Sequence, residues 1–496
     1  MVQRNYERAI TLLDSIRRIN SSRWRIDSRH DRNRSGNTSR GVIGSPSIDG
    51  MNEWLQQLGH AATDLSVIHV AGTKGKGSTC AFVNSFLREH GKRTGFPKSV
   101  GLYTSPTLLS TRERIRINSK PISEDVFADY FFDVWNKLGY NSQANTDARR
   151  MPRYRQFLML LSFHVFVFEQ VDVAVYETHF GGEFDSTNVV APVVTGITAL
   201  GMDHVRALGP SIENIAWHKA GIMKSHVPAF SDRQEPAVEK VLKMRAVEKN
   251  APLKFTDVDP DFPENMPALE PNVQRNNASL GRALADTFLR LKAPGSQCLA
   301  TQDIINGIEY YSWPGRFQKI VDGNYQWFLD IAHNEISLLV AAQWFGQQVS
   351  DAESNCLAPA RILIFTHTSG QSSGRNDRSL MKSIASPLQA KGIRFDHVII
   401  TTLKERPSGE KRIDCIYERP ETFVSLDAQR NYAEIWKGID SKTNISLTST
   451  VEDAFQMAKD IGDRGRGMQT FVTGDTGLIG IGLNLLGEDN INISKV

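Results

Sequence analysis

The 496-residue sequence predicts two α/β domains, each a mainly parallel sheet covered by helices. Three observations lead there. Single hydrophobic cores stop growing at ~250–300 residues, so this chain is too long for one. From residue 65 onward, short apolar runs alternate with stretches of helical period, the pattern of strands joined by crossover helices. That alternation weakens over residues 297–314 and then restarts, which puts the join near Trp313-Pro314-Gly315-Arg316.

Residues 1–16 mix charges with apolar residues at helical spacing. They read as a first amphipathic helix rather than a signal peptide, which would need a continuous apolar centre. Residues 20–50 are rich in Ser, Arg, Asn and Gly, with six arginines from Arg23 to Arg40, and read as a mobile insert. Val67–Ala71 is an apolar strand. Residues 78–90 place Phe82, Val83, Phe86 and Leu87 on one helical face, with Gly91 as the expected stop. Residues 171–176 and 193–200 are further buried strands. In the second half, strands are expected over 327–331, 361–365, 397–401 and 470–473.

Composition narrows the partners. The chain is 40% hydrophobic and 23% charged, the mix of a globular protein. A net charge of +3 is too small for its length to suggest nucleic acid. No run approaches the ~20 apolar residues of a membrane span. The cysteines at 80, 298, 356 and 415 lack metal spacing and suit a reducing compartment, cytoplasmic or mitochondrial.

The strand Val67–Ala71 runs into Gly72-Thr73-Lys74-Gly75-Lys76-Gly77-Ser78 and then a helix. Glycines let backbone N–H groups converge and the helix dipole adds positive potential, so the segment suits phosphate, with Lys76 reaching the β/γ phosphates. It departs from G-x4-G-K-[ST], because position 70 is Val and Gly77 follows the lysine. The alternative is a glycine-rich turn without a ligand. Glu177 ends another buried strand, at the crevice where α/β sheets bind ligands. It would hold Mg²⁺ beside the phosphates or pair with an arginine.

The loop from Val70 to Thr79 resembles the P-loop variant of folylpolyglutamate synthases and, more broadly, of Mur ligases. The resemblance continues in order through Tyr103-Thr104-Ser105-Pro106, Arg112-Glu113-Arg114-Ile115-Arg116-Ile117-Asn118, and Glu177 with Gly181-Gly182 and Asp185-Ser186-Thr187-Asn188. It extends through Asp203-His204, Lys219-Ala220-Gly221-Ile222, Trp313-Pro314-Gly315-Arg316 and Leu329-Asp330-Ile331-Ala332-His333. It implies a P-loop ATPase-type domain over residues 1–312 and a smaller Rossmann-like α/β domain over 313–496. It also implies Ser105, Glu177 and His204 on Mg²⁺, Asn277 on the adenine, and Arg316 and Asp330 on ATP from the second domain. Lys219 matches a lysine commonly carbamylated beside a second Mg²⁺, and a monovalent cation is a further expectation. Read without the resemblance, Asn277 is a helix N-cap, Arg316 a salt-bridging residue and Lys219 a surface lysine.

The implied reaction is amide ligation. The γ-carboxylate of a folate glutamyl tail attacks ATP, and L-glutamate then displaces phosphate from the acyl phosphate, with Lys76, Lys219 and His204 in the catalytic set. A monomer acting on folate, glutamate and ATP is expected. Several positions depart from the family pattern: Leu13-Asp14-Ser15-Ile16-Arg17-Arg18 in the first helix, Thr107, Thr178-His179-Phe180, Thr366 and Gly474-Asp475-Thr476-Gly477. Asp475 would repel an anionic tail or attract an amine. These departures leave open a ligase for dihydropteroate or a non-folate acid, or a nucleotide-binding protein without ligase activity.

Overall fold

The computed structural model describes residues 4–17, 46–140, 151–295, 297–350, 359–367, 376–409 and 427–488. The arginine-rich stretch from 23 to 40 lies outside the described residues. Contacts divide the chain into two units: residues 1–107 with 112–311, and residues 108–111 with 312–496. The sequence gives no sign that 108–111 leaves the first unit. Leu108 does so because it packs with Ile331 and Ile479 in the second unit's core.

The first unit carries an eight-stranded sheet ordered β4-β3-β2-β5-β1-β6-β7-β8 among the described residues. Its parallel strands are β1 (Val67–Ala71), β2 (Val100–Tyr103), β5 (Val173–Glu177), β6 (Pro192–Ile197), β7 (Ala229–Asp232) and β8 (Leu253–Thr256). The short β3 (Ile115–Ile117) and β4 (Lys120–Pro121) close one edge antiparallel. β1, β2 and β5 are buried along their whole length. They are near-continuous Val, Ile, Ala and Tyr because both faces are covered.

Helix α1 spans residues 6–17 and buries Tyr6, Leu13 and Ile16 against α4 (Glu124–Lys137), α5 (Tyr154–Phe168) and α2 (Met51–Gln57). Helix α3 (Lys76–Thr94) runs past the expected stop, and Gly95 at φ +85 ends it. Gly91 is instead needed inside the helix, where a Cβ would lie 2.0 Å from the Pro97 carbonyl oxygen. Beyond α6 (Val205–Leu208), α7 (Ile212–Lys219) and α8 (Pro236–Glu248), α9 (Asn272–Lys292) covers α3. α10 (Thr301–Glu309) occupies the stretch where the sequence pattern fades, and its Asp303 accepts hydrogen bonds from Arg93 in α3.

The second unit has a six-stranded sheet ordered β13-β12-β11-β14-β10-β9. β10 (Tyr325–Asp330), β11 (Ala360–Thr366), β12 (His397–Ile400), β13 (Asn444–Leu447) and β14 (Met468–Gly474) are parallel. β9 (Gln318–Asp322) is an antiparallel edge. Helices α11 (Glu335–Ser350), α12 (Asp377–Gln389) and α13 (Asp427–Ile439) cover one face, and α14 (Val451–Arg464) and α15 (Thr476–Glu488) the other. Both units are therefore α/β with mostly parallel sheets. No helix among the described residues is long and apolar enough to cross a membrane.

Candidate active site

Four adjacent strands, β2, β5, β1 and β6, bring their carboxyl ends to one side of the first sheet, where parallel sheets place their ligands. β1 leads into the glycine turn. Gly72 has φ +152, and a Cβ there would lie 1.7 Å from Thr198 Oγ1; Gly75 has φ +84, and a Cβ would lie 2.1 Å from Asn277 Oδ1. Thr73 and Lys74 each donate a backbone N–H to the Ala199 carbonyl at 3.1 Å, and Thr198 Oγ1 donates to the Lys74 carbonyl at 2.6 Å. The turn is thereby pinned to the end of β6, and two of its amides are committed. The donors open to an anion narrow to the first turn of α3, at Lys76, Gly77 and Ser78, where helix N–H groups have no intrahelical acceptor.

The side chains around that turn meet in pairs. Lys76 Nζ stands 3.8 Å from Glu177 Oε1, and Glu177 Oε2 accepts the Ser105 backbone N–H at 3.0 Å. Lys74 Nζ stands 3.6 Å from Asp203 Oδ2, while Asp203 Oδ1 accepts the His204 N–H at 2.9 Å. His204 itself is held at φ +50, edge-on to Phe180. Lys219, the last residue of α7, is buried rather than a surface lysine, and its Nζ donates to the Gly72 carbonyl at 2.6 Å. Burial first, and the charge of Lys76 next, push its pKa well below the usual lysine range. Asn277 is the sixth residue of α9 and not its N-cap, which is Pro271. Its Nδ2 donates to Gln274 Oε1 at 2.7 Å while its Oδ1 faces Gly75.

These donors fit a hard divalent cation. Glu177 offers a buried carboxylate, and the Ser105 hydroxyl has no hydrogen-bond partner among the described residues. His204 keeps solvent access, yet the surrounding protein, followed by the Lys219 and Lys76 charges acting against Asp203, lowers its pKa to about 4. Its imidazole is thus neutral at neutral pH, the form that can ligate. No group of three or more His, Cys, Asp or Glu gathers among the described residues. The arrangement suits Mg²⁺, which keeps several water or phosphate oxygens rather than a full protein cage.

Beside this lies a network the sequence reading did not anticipate. His179 Nε2 is 2.7 Å from the Tyr103 hydroxyl, while its Nδ1 lies 3.2 Å from Ser186 Oγ and 3.4 Å from Asp185 Oδ1. Asp185 also accepts from the N–H of Phe180 (2.9 Å) and from the N–H and Oγ1–H of Thr187 (3.0 and 2.7 Å). Burial opposes its charge, but His179 and these hydrogen bonds outweigh it and hold the carboxyl well below the usual range. Thr107 is buried and accepts from Arg114 Nε at 2.7 Å. Its sequence signals are separate: Tyr103, Arg114 and Asp185-Ser186-Thr187 lie in the family-like motifs, whereas Thr107 and Thr178-His179-Phe180 depart from the pattern.

In the second unit, Arg316 and Asp330 come together at the carboxyl end of β10. Asp330 Oδ1 accepts the Phe317 N–H at 3.0 Å, and Arg316 Nη1 donates to the Ile331 carbonyl at 2.6 Å. Thr366 is buried, and its carbonyl accepts the Asp475 N–H. Asp475 Oδ1 accepts the Gly477 N–H at 2.9 Å, so the carboxylate caps the first turn of α15 instead of standing as a bare charge toward a ligand.

No family model matches the chain. It is 40% identical over 457 residues to a folylpolyglutamate synthase of Neurospora crassa, covering 89% of this chain and 85% of the relative. A probable folylpolyglutamate synthase of Schizosaccharomyces pombe is 37% identical over 442 residues (87% and 86%), and a Saccharomyces cerevisiae folylpolyglutamate synthase is 35% identical over 503 residues (97% and 86%). Among solved structures, Mycobacterium tuberculosis folylpolyglutamate synthase complexed with ADP and AMPPCP matches with a TM-score of 0.68 at 22% identity, over 89% of this chain and 96% of that one. The apo form of L. casei FPGS also gives 0.68 at 22%, over 97% and 99%. The fold is shared with both solved structures, and at 35–40% identity to its curated relatives over most of its length the chain belongs to the folylpolyglutamate synthase family.

Proposed function

We propose that the chain is an ATP-dependent ligase that adds L-glutamate to the γ-carboxyl of folate glutamyl tails through an acyl phosphate. The observation that carries this reading is the pairing of Lys76, the first residue of α3, with Glu177 at the end of β5, the strand next to β1. Phosphoryl transfer needs positioning and charge stabilisation more than a protein nucleophile, and this arrangement supplies both. The first-turn amides of α3 hold the phosphates. Lys76 neutralises the charge that develops on the transferred phosphoryl group. Ser105, Glu177 and His204 would hold Mg²⁺, which would supply further charge neutralisation there. Asn277 is the adenine contact in the first unit, and Arg316 and Asp330 are the candidate ATP-binding residues of the second.

The depressed pKa of Lys219 favours a neutral amine, the form that can add CO₂ to become a carbamate. That change turns a cation into a carboxylate able to help hold a second Mg²⁺. The acceptor γ-carboxylate attacks the γ-phosphorus and ADP leaves; the glutamate amine then attacks the acyl carbon and phosphate leaves. The protein works as a monomer in a reducing compartment, cytosol or mitochondrion, and a monovalent cation supports the site.

The test is an ADP-release assay with a panel of pteroate, folates and unrelated carboxylic acids, with and without glutamate. Release that requires both a folate and glutamate, with a glutamylated product, is expected. Turnover of an unrelated acid alone would keep ligation and remove folate as acceptor. ADP release with no acceptor requirement would remove ligation.

A further inference from the structure

Arg155 is the second residue of α5 and is exposed, yet among the described residues it makes no hydrogen bond or ion pair. Its position is electrostatically costly. The N-terminus of a 15-residue helix carries partial positive charge, which disfavours a cation in the first turn. Although the side chain reaches solvent, the protein crowding its guanidinium, and after that the like charge of Arg114, oppose its charge. The carboxylate in range, Asp185, already accepts from Phe180 and twice from Thr187, and sits against His179. Arg114 is 6% exposed: its Nε is spent on Thr107, but its Nη1 is buried without a partner. Two guanidiniums with unspent donors thus lie within electrostatic range of Tyr103 and His179, which meet at 2.7 Å, and Arg155 is also within range of His204.

We propose that Arg155, with Arg114 behind it, binds the α-carboxylate of the acceptor's terminal glutamyl group. The assignment rests on the ligase reading above and names the subsite that would orient the acceptor. Such a site calls for an anion because only an anion relieves both the like-charge contact and the helix dipole. A carboxylate suits it because a guanidinium fork matches two carboxylate oxygens. The acceptor is favoured over incoming glutamate, since glutamate must deliver an amine and an amine gains nothing beside two cations. The phosphates already have Lys76 and the first turn of α3. Arg155 is a binding and specificity residue, and no bond forms or breaks on it.

The experiment uses the full chain and its Arg155→Ala and Arg155→Lys variants. Steady-state kinetics are measured with a folate monoglutamate and with the same compound carrying an α-carboxamide. Arg155→Ala should raise the acceptor KM ~10- to 100-fold, the loss expected for one charge-assisted contact. KM values for ATP and glutamate should stay within ~2-fold, and Arg155→Lys should recover part of the loss. Against the carboxamide, wild type and Arg155→Ala should be equally poor. Because Arg155 has no hydrogen-bond or ion-pair partner to lose among the described residues, the melting temperature should not fall. The proposal is overturned by an unchanged acceptor KM, by a rise confined to glutamate, or by an equal loss on acid and carboxamide. A wild type that glutamylates no folate at all overturns the ligase reading itself, and the subsite with it.

Discussion

Gly75→Ala tests whether the phosphate turn and Asn277 are mechanically joined. The added Cβ would lie 2.1 Å from Asn277 Oδ1 and 3.0 Å from its Cγ, and the residue would keep φ +84. A non-glycine residue in that region costs roughly 1–2 kcal/mol. Relief of the clash must move Asn277, which is 6% exposed and hydrogen-bonded to Gln274 Oε1 at 2.7 Å. Breaking that buried bond adds about 1–3 kcal/mol, for a total of about 2–5 kcal/mol. In an Asn277→Ala background nothing remains for the Cβ to displace, so Gly75→Ala should cost only the backbone share. The coupling energy in the double-mutant cycle, read by urea denaturation, should therefore be about 1–3 kcal/mol. Gly75→Ala and Asn277→Ala should also both raise the ATP KM, because one displaces and the other removes the same side-chain amide. Additive stability losses, or an ATP KM moved by only one of the two, would refute the reasoning.

Lys76→Ala should lower kcat at least ~10²-fold, since the helix amides alone cannot match the transition-state charge; single-turnover ADP formation at the wild-type rate would reassign the loop. Glu177→Gln keeps the shape of the side chain but loses the charge, so the Mg²⁺ activation curve should shift to higher concentration; an unchanged curve would make Glu177 structural. Lys219→Ala should be inactive and partly rescued by acetate, while wild type should lose activity in CO₂-depleted buffer. An unmodified ammonium in a structure with nucleotide and metal would refute the carbamate. Asp232, with Oδ2 buried and unpaired, has its pKa raised by burial to about 7. The folded chain therefore keeps a proton that the unfolded chain loses near 3.8, and stability falls as pH rises between those values. Asp232→Asn should accordingly leave the melting temperature unchanged below pH 4 and raise it increasingly up to pH 7, by on the order of 2–4 kcal/mol in stability.

Much of the fold was legible because buried parallel strands are apolar along their whole length. The run from 67 to 71 is five buried residues ending at a glycine turn, and both features are written locally. Gly91 misled because its reason is not local: a glycine within a helix usually signals an end, but here it admits the Pro97 carbonyl. α10 escaped because nine residues give too few turns for the helical period to stand out. The site divides the same way. Lys76 follows from its place in the glycine turn after β1 and Glu177 from its place at a strand end, whereas Lys219 near Gly72 depends on a contact spanning 147 residues. Arg155 was invisible, since its significance is the absence of a partner, and no sequence pattern records that.

The two sides of the site are also held by different kinds of force, and this bears on where the chain departs from its family's pattern. On the phosphate side the constraints run through backbone. Gly72 and Gly75 leave no room for a side chain, Ala199 takes two loop amides, and Lys219 holds the Gly72 carbonyl. A substitution there moves main chain, and every donor aimed at phosphate moves with it. On the other side the contacts are between side chains, Thr107 with Arg114 and His179 with Tyr103. One partner can change and the other can find a new acceptor without displacing a strand. The departures at Thr107 and His179 fall on this second kind of contact, on the side proposed above to recognise an acceptor. Variation in acceptor preference with ATP chemistry unchanged is therefore what this architecture permits, and exchanging Thr107 for His should shift the acceptor KM while leaving the ATP KM in place.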